Sequence, residues 1–238
     1  MRSASIASVL QHPSLHLDSS YDFDSNMAVV VAGDIPDPRD RESYLTALER
    51  VLVDAHLAMG GSVLTLFTNR RDMEDLYARV EPKMARAGLE LDCQQRNSSP
   101  RRLRDRFINE PTSSLFALKA FWEGFDASGE TLRCVIIPKL PFSSPMDPLS
   151  CERNLREDRA WARYSLPEAV LEVKQAAGRL IRSSTDCGVL ILADPRLVTK
   201  GYGKKFLTSL PTSSYQRIES AQIGHYLQLW RARHERRR

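Results

Sequence analysis

The sequence predicts an α/β chain, built as a mostly parallel sheet with helices on both faces. Three observations lead there. Short apolar runs rich in β-branched residues recur along the chain. Longer segments with apolar residues at helical spacing alternate with them. Glycines and prolines punctuate the joins. Strands buried on both faces read as near-continuous apolar runs, and strictly alternating helices are what parallel pairing requires.

Residues 1 to about 20 carry no strong period and read as a linker or disordered N-terminal segment. Residues 21–233 read as one domain, and 234–238 as a basic tail. Met27 to Gly33 is a β-branched run, read as a buried strand and punctuated by Pro36 and Pro38. From Arg39 to Met59, Tyr44, Leu45, Leu48, Val51, Leu52 and Ala55 fall at helical spacing. Gly60 and Gly61 end that helix by permitting a left-handed turn. Ser62 to Phe67 is a strand running into polar Thr68 and Asn69. A helix from Arg71 to about Ala87 stops at Gly88, and Leu89 to Cys93 is a short strand. Pro100 opens a helix to about Asn109, broken by Pro111. Ser114 to Leu118 and Arg133 to Pro138 are further strands, and Pro141 to Pro148 is a loop. Helical segments run from there to about Arg182. Val189 to Ala193 is the last core strand, and Ser214 to Arg233 the last helix.

A chain of 238 residues is long enough for one large domain, and 42% hydrophobic with 27% charged residues is ordinary for a globular protein. No apolar run approaches the roughly 20 residues needed to span a bilayer, and no secretory signal is visible. Cys93, Cys134, Cys151 and Cys187 lack the spacing of a metal site. Cys93 and Cys134 fall in strands and read as buried small hydrophobes. Four thiols without such a framework fit a reducing cytoplasm. The net charge of +4 permits nucleic-acid binding without arguing for it. Basic residues cluster at Arg101, Arg102, Arg104 and Arg106, with a solvated helix face as the alternative to nucleic-acid contact, and at the C-terminus, where a frayed terminus is favoured over a DNA-contacting one.

Chemistry concentrates in Gln175-Ala-Ala-Gly-Arg-Leu-Ile-Arg182. On a helix Gln175, Gly178, Arg179 and Arg182 share one face. Two guanidiniums beside a glycine that allows close approach suit an anionic oligophosphate and the charge that develops in phosphoryl transfer. The same spacing also describes a solvated arginine face with a packing glycine. Ser114 to Asp126 begins as a buried strand and ends in a Trp122-Glu123-Gly124-Phe125-Asp126 turn.

Together these segments resemble the C-terminal motor domain of superfamily 2 DNA helicases of the DinG/XPD type. The strand ending Phe67-Thr68-Asn69 resembles helicase motif IV. Phe121 to Asp126 resembles motif V, and Gln175 to Arg182 resembles motif VI. Leu140 to Pro148 is similar to the family's Leu-Pro-Phe-x-x-Pro-x-x-Pro loop. Asp186 and Asp194-Pro195-Arg196 flank the last core strand as the family has them. Tyr202 to Pro211 is similar to its closing segment. The resemblance runs from about Tyr21 to Pro211, with the motifs in the family's order.

The resemblance implies a three-layer RecA-like domain acting in ATP-driven translocation on single-stranded DNA, with 5′ to 3′ polarity. It implies that Arg182 is an arginine finger with Arg179 beside it. It further implies nucleotide contacts from Gln175, Gly178, Gly124, Asp126 and Glu123, and DNA contacts from Thr68, Asn69 and Trp122. A bland alternative stands beside most of these. Asp126 and Glu123 could be turn residues, Thr68 and Asn69 a strand-to-helix cap, and Trp122 core; Phe121 reads as core. A complete ATPase needs a Gly-x-x-x-x-Gly-Lys-Ser/Thr cradle and a carboxylate for magnesium. The chain has neither, and Gly201-Tyr-Gly-Lys-Lys205 has the wrong spacing. The expectation is therefore a second motor half from a larger polypeptide. ATP and Mg²⁺ are then held mainly by an N-terminal RecA-like partner domain, and any iron–sulfur cysteines lie in that missing half. A non-catalytic binding module and the motor part of a helicase–exonuclease fusion are the alternatives.

Overall fold

The computed structural model describes residues 20–110, 112–118, 121, 131–144 and 146–235. Seven strands form one sheet in the order β3-β4-β2-β5-β6-β1-β7, and every pairing is parallel. They are β1 (Met27–Ala32), β2 (Val63–Leu66), β3 (Glu90–Cys93), β4 (Ser113–Ala117), β5 (Cys134–Ile137), β6 (Gly188–Leu192) and β7 (Gln216–Ile218). Before and between them lie α1 (Phe23–Asn26), α2 (Arg41–Met59), α3 (Arg70–Arg86), α4 (Pro100–Asn109), α5 (Pro148–Arg156), α6 (Leu166–Ala177), α7 (Arg196–Thr199) and α8 (Gly203–Ser209). After β7 comes α9 (Ile223–Glu235).

The apolar runs become strands because each is covered twice. Alternate residues point to opposite faces, and the core divides accordingly. Val29, Leu64, Leu115, Val135 and Leu190 pack with Phe107 of α4, Val173 of α6 and Phe206 of α8. Val30, Val63, Phe116, Ile136 and Ile191 pack with Leu48 and Leu52 of α2, Leu76 of α3 and Leu227 of α9. This is the three-layer arrangement the sequence predicts.

Two glycines make the first crossover possible. Gly60 caps α2 in the left-handed region at φ 69°. Gly61 follows at φ 103°, and a Cβ there would lie 2.2 Å from the Thr112 carbonyl oxygen. Only glycine lets β2 begin this close to the start of β4.

Two elements depart from expectation. The helix expected over 214–233 is instead the three-residue edge strand β7 followed by α9. The helix expected to reach Arg182 ends at Ala177. Of the arginine clusters, Arg106 is neutralised by Glu90 at 2.7 Å and Asp92 at 3.0 Å. Arg231 of α9 donates to the Met59 carbonyl at 3.0 Å, tying the last helix to the end of α2.

Cys93 and Cys134 are buried as expected, and burial pushes the Cys93 thiol up to about 12. His56 on α2 is also in the core. Its ring meets Phe116 edge-on at 5.8 Å, and its Nδ1 lies 2.6 Å from the Leu52 carbonyl. Burial lowers its pKa from 6.5 to about 4, outweighing that hydrogen bond. The unfolded chain therefore binds the extra proton more readily, and stability falls as pH drops below 6.5. At one unit per 1.36 kcal/mol, the loss is about 3 kcal/mol by pH 4. Urea unfolding between pH 7 and 4 should show this slope, and His56→Gln should flatten it. An unchanged slope in that variant would assign the acid sensitivity to other groups.

Candidate functional site

Of the residues singled out in the sequence, the described ones lie at opposite edges of the sheet. Because all strands run one way, the C-terminal ends of β2, β5 and β6 form one edge, where open α/β sheets bind ligands. The N-terminal ends of β5 and β6 lie at the other.

Thr68 and Asn69 stand at the first edge, directly after β2. Asn69 is the N-cap of α3: its side-chain oxygen accepts from the Asp72 amide at 2.8 Å. Its side-chain nitrogen donates to the Asp72 carboxylate. Both ends of the carboxamide are thus used in the cap, worth about 1 kcal/mol to the helix. At the end of β6, the carboxylate of Asp194 is fully buried. It accepts from the Leu140 amide at 2.7 Å, the Arg196 amide at 2.9 Å and the Arg196 guanidinium at 2.6 Å. Burial works against the Arg196 cation, but the hydrogen bonds and charge of Asp194 prevail, so its pKa is raised. The guanidinium also lies 5.1 Å from the centroid of the Phe142 ring. Asp194 thereby joins the end of β6 to the Leu140–Pro148 loop. Tyr44 of α2 adds a bond from its hydroxyl to the Pro138 carbonyl at 2.8 Å, just before Lys139.

The second edge carries the arginines. Gly178 caps α6 with φ −63°, so it does not take the left-handed conformation. Turn bonds from Arg179 N to Ala176 O and from Leu180 N to Ala177 O follow. Leu180 and Ile181 turn into the core, Arg179 is buried and Arg182 half-buried. The buried carboxylate of Asp186 holds this segment. It accepts from the amides of Arg182 and Ser183 at 2.8 and 2.9 Å and from the Ser183 hydroxyl at 2.8 Å. Gly188 completes the seat: a Cβ there would lie 2.7 Å from Leu180 Cδ2. The helical spacing of Gln175, Gly178, Arg179 and Arg182 is thus a property of sequence only. Gln175 is exposed on the last turn of α6, Arg179 sits in the turn beyond, and Arg182 belongs to a carboxylate-clamped loop.

Residues 52–213 match the family described as Helicase C-terminal domain. The chain is a C-terminal domain of a DinG/XPD-type superfamily 2 helicase. It is 37% identical over 207 residues to the ATP-dependent DNA helicase YoaA of Escherichia coli, covering 84% of this chain and 31% of that protein. It is 30% identical over 220 residues to a Bacillus subtilis protein named 3′-5′ exonuclease DinG, covering 90% and 24%. This helicase domain therefore spans about a third or less of those relatives. A solved XPD helicase superposes with TM-score 0.59 at 21% identity, over 81% of this chain and 35% of that one. Yeast Dbp5 bound to RNA and ADP BeF3 superposes at 0.55 and 13%, over 88% and 45%. These likenesses show the RecA-like fold.

Within this helicase domain, Phe121 is core as expected. Trp122, Glu123, Gly124 and Asp126 fall outside the described residues. The sequence reading missed Gly188 as part of the arginine seat. Its signal was available, a glycine where a β-branched strand begins. A Cβ on Gly178 would meet only Lys174 and Gln175 carbonyls of its own helix, at 3.5 and 3.7 Å.

Proposed function

We propose that this chain is the second motor half of an ATP-dependent DNA helicase that moves along single-stranded DNA. Arg182 acts as the arginine finger at the γ-phosphate, with Arg179 beside it. Gln175 and the open surface over Gly178 contact the nucleotide. Glu123, Gly124 and Asp126 link nucleotide and DNA responses, and Thr68, Asn69 and Trp122 contact DNA. ATP with Mg²⁺ is held mainly by an N-terminal RecA-like domain of the same polypeptide, working in the cytoplasm. The observation that carries this reading is the Asp186 clamp. Two backbone amides and the Ser183 hydroxyl donate to one buried carboxylate and fix the loop under Arg182 at a sheet edge away from Thr68. A backbone fixed in this way limits the reorganisation needed to bring the guanidinium to developing phosphoryl charge. The exonuclease named among the relatives supports a second reading, the motor part of a helicase–exonuclease fusion.

On this reading the purified 238-residue chain has no DNA-stimulated ATPase activity, because it lacks a phosphate cradle and a magnesium carboxylate. Phosphate release measured with and without single-stranded DNA tests this. Turnover that Arg182→Ala abolishes would contradict the two-half reading.

A further inference from the structure

We propose that the groove at the end of β2 seats one base of the DNA strand, with Trp161 as its stacking platform. This rests on the reading of the chain as part of a DNA track and adds a base contact to it.

The groove encloses about 550 Å³ and is lined by Thr68, Asn69, Lys139, Ser143, Trp161 and Tyr202 among others. That volume lies in the range of ligand pockets. Among the described residues no aspartate or glutamate lines it, although the chain carries 30 acidic residues. Lys139, hydroxyls and side-chain amides supply donors, and the other cation among the described lining residues, Arg196, is bound to buried Asp194. Such a lining accepts a singly charged phosphate and a neutral ring better than an oligophosphate.

Trp161 supplies the ring contact. It opens a single π-helical turn, Trp161–Ser165, running into α6, an irregularity frequent at functional sites. Trp161 is 41% exposed, yet its indole is held in place by other rings. Phe142 lies 5.6 Å from it and Tyr202 5.1 Å, and Phe206 backs Phe142 at 5.8 Å. A preset aromatic surface loses little entropy on stacking, and every base presents a π-face, so the contact tolerates any sequence. The arginine loop lies at the opposite sheet edge, so this seat is separate from Gln175, Arg179 and Arg182.

The test compares a labelled oligothymidylate with an abasic strand of equal length, both titrated at low salt against the whole chain. The wild-type chain is expected to bind thymidylate at least about 5-fold tighter, the low end for one base stacked on an aromatic side chain. Trp161→Ala is expected to remove that ratio while abasic binding stays unchanged. Trp161→Leu, which keeps apolar cover over Phe142, is expected to do the same. Equal wild-type binding of both strands overturns the base seat and leaves the phosphate track standing. A ratio that survives in the folded Leu variant also overturns the seat. Binding of neither strand overturns the DNA-track reading and the seat with it.

Discussion

Replacing Arg182 with alanine in the complete polypeptide is expected to lower kcat by a factor on the order of 10³, the scale of a lost arginine finger. That factor corresponds to about 4 kcal/mol of transition-state stabilisation. The expectation rests on how the backbone beneath the side chain is held. Asp186 fixes the Arg182 amide, and Gly188 lets Leu180 press against the start of β6. The guanidinium is thus delivered from a rigid edge rather than a frayed helix end. Lysine at the same position is expected to restore little, because a point charge cannot reproduce the planar fork. Affinity for single-stranded DNA without nucleotide should stay near wild type, since Thr68 and Asn69 lie at the other sheet edge. Steady-state ATP turnover with saturating DNA checks the first part, and direct binding checks the second. Wild-type turnover in the alanine variant would remove the assigned role.

Asp194→Ala is expected to destabilise the domain by about 3 kcal/mol, the scale for breaking a buried ion pair from one side. The change strands the Arg196 guanidinium, whose side chain is only 24% exposed, and takes the acceptor from the Leu140 amide. A double change, Asp194→Ala with Arg196→Met, is expected to cost less than the single one, because no buried charge is left unmatched. Urea unfolding of the three proteins measures the difference. A single variant as stable as wild type would show that the pair adds nothing to the edge it joins.

The fold was legible because the strands are buried on both faces. Runs such as Val29 to Ala32 and Val189 to Leu192 have no polar residue to mislead, and each is followed by a helix or a break. β7 was not legible. Gln216 and Arg217 are exposed, and their segment pairs along one side only, with β1. A three-residue edge strand needs a neighbour more than a propensity. The end of α6 was missed for a related reason. Leu180 and Ile181 continue the helical apolar spacing, but Asp186, later in the chain, takes the amides of Arg182 and Ser183. Local pattern cannot register a competitor that arrives from a loop. The cap on Asn69 was readable, as an asparagine before a helix with Asp72 three residues on. The division between two sheet edges was not, since it depends on strand order. Trp161 escaped notice because a π turn leaves no mark in helical spacing.

On the proposed reading, one sheet edge acts on the nucleotide and the other on DNA. DNA-stimulated ATP turnover of the complete polypeptide, measured across DNA concentration, separates the two. Arg182→Ala is expected to lower the plateau and leave the half-saturating DNA concentration unchanged. Thr68→Ala with Asn69→Ala is expected to raise the half-saturating concentration, more so at higher salt, and leave the plateau near wild type. Melting curves taken in parallel account for the lost α3 cap, about 1 kcal/mol. If Arg182→Ala shifts DNA affinity with an intact plateau, or the Thr68 and Asn69 changes leave DNA affinity untouched, the division of labour between the two edges is wrong.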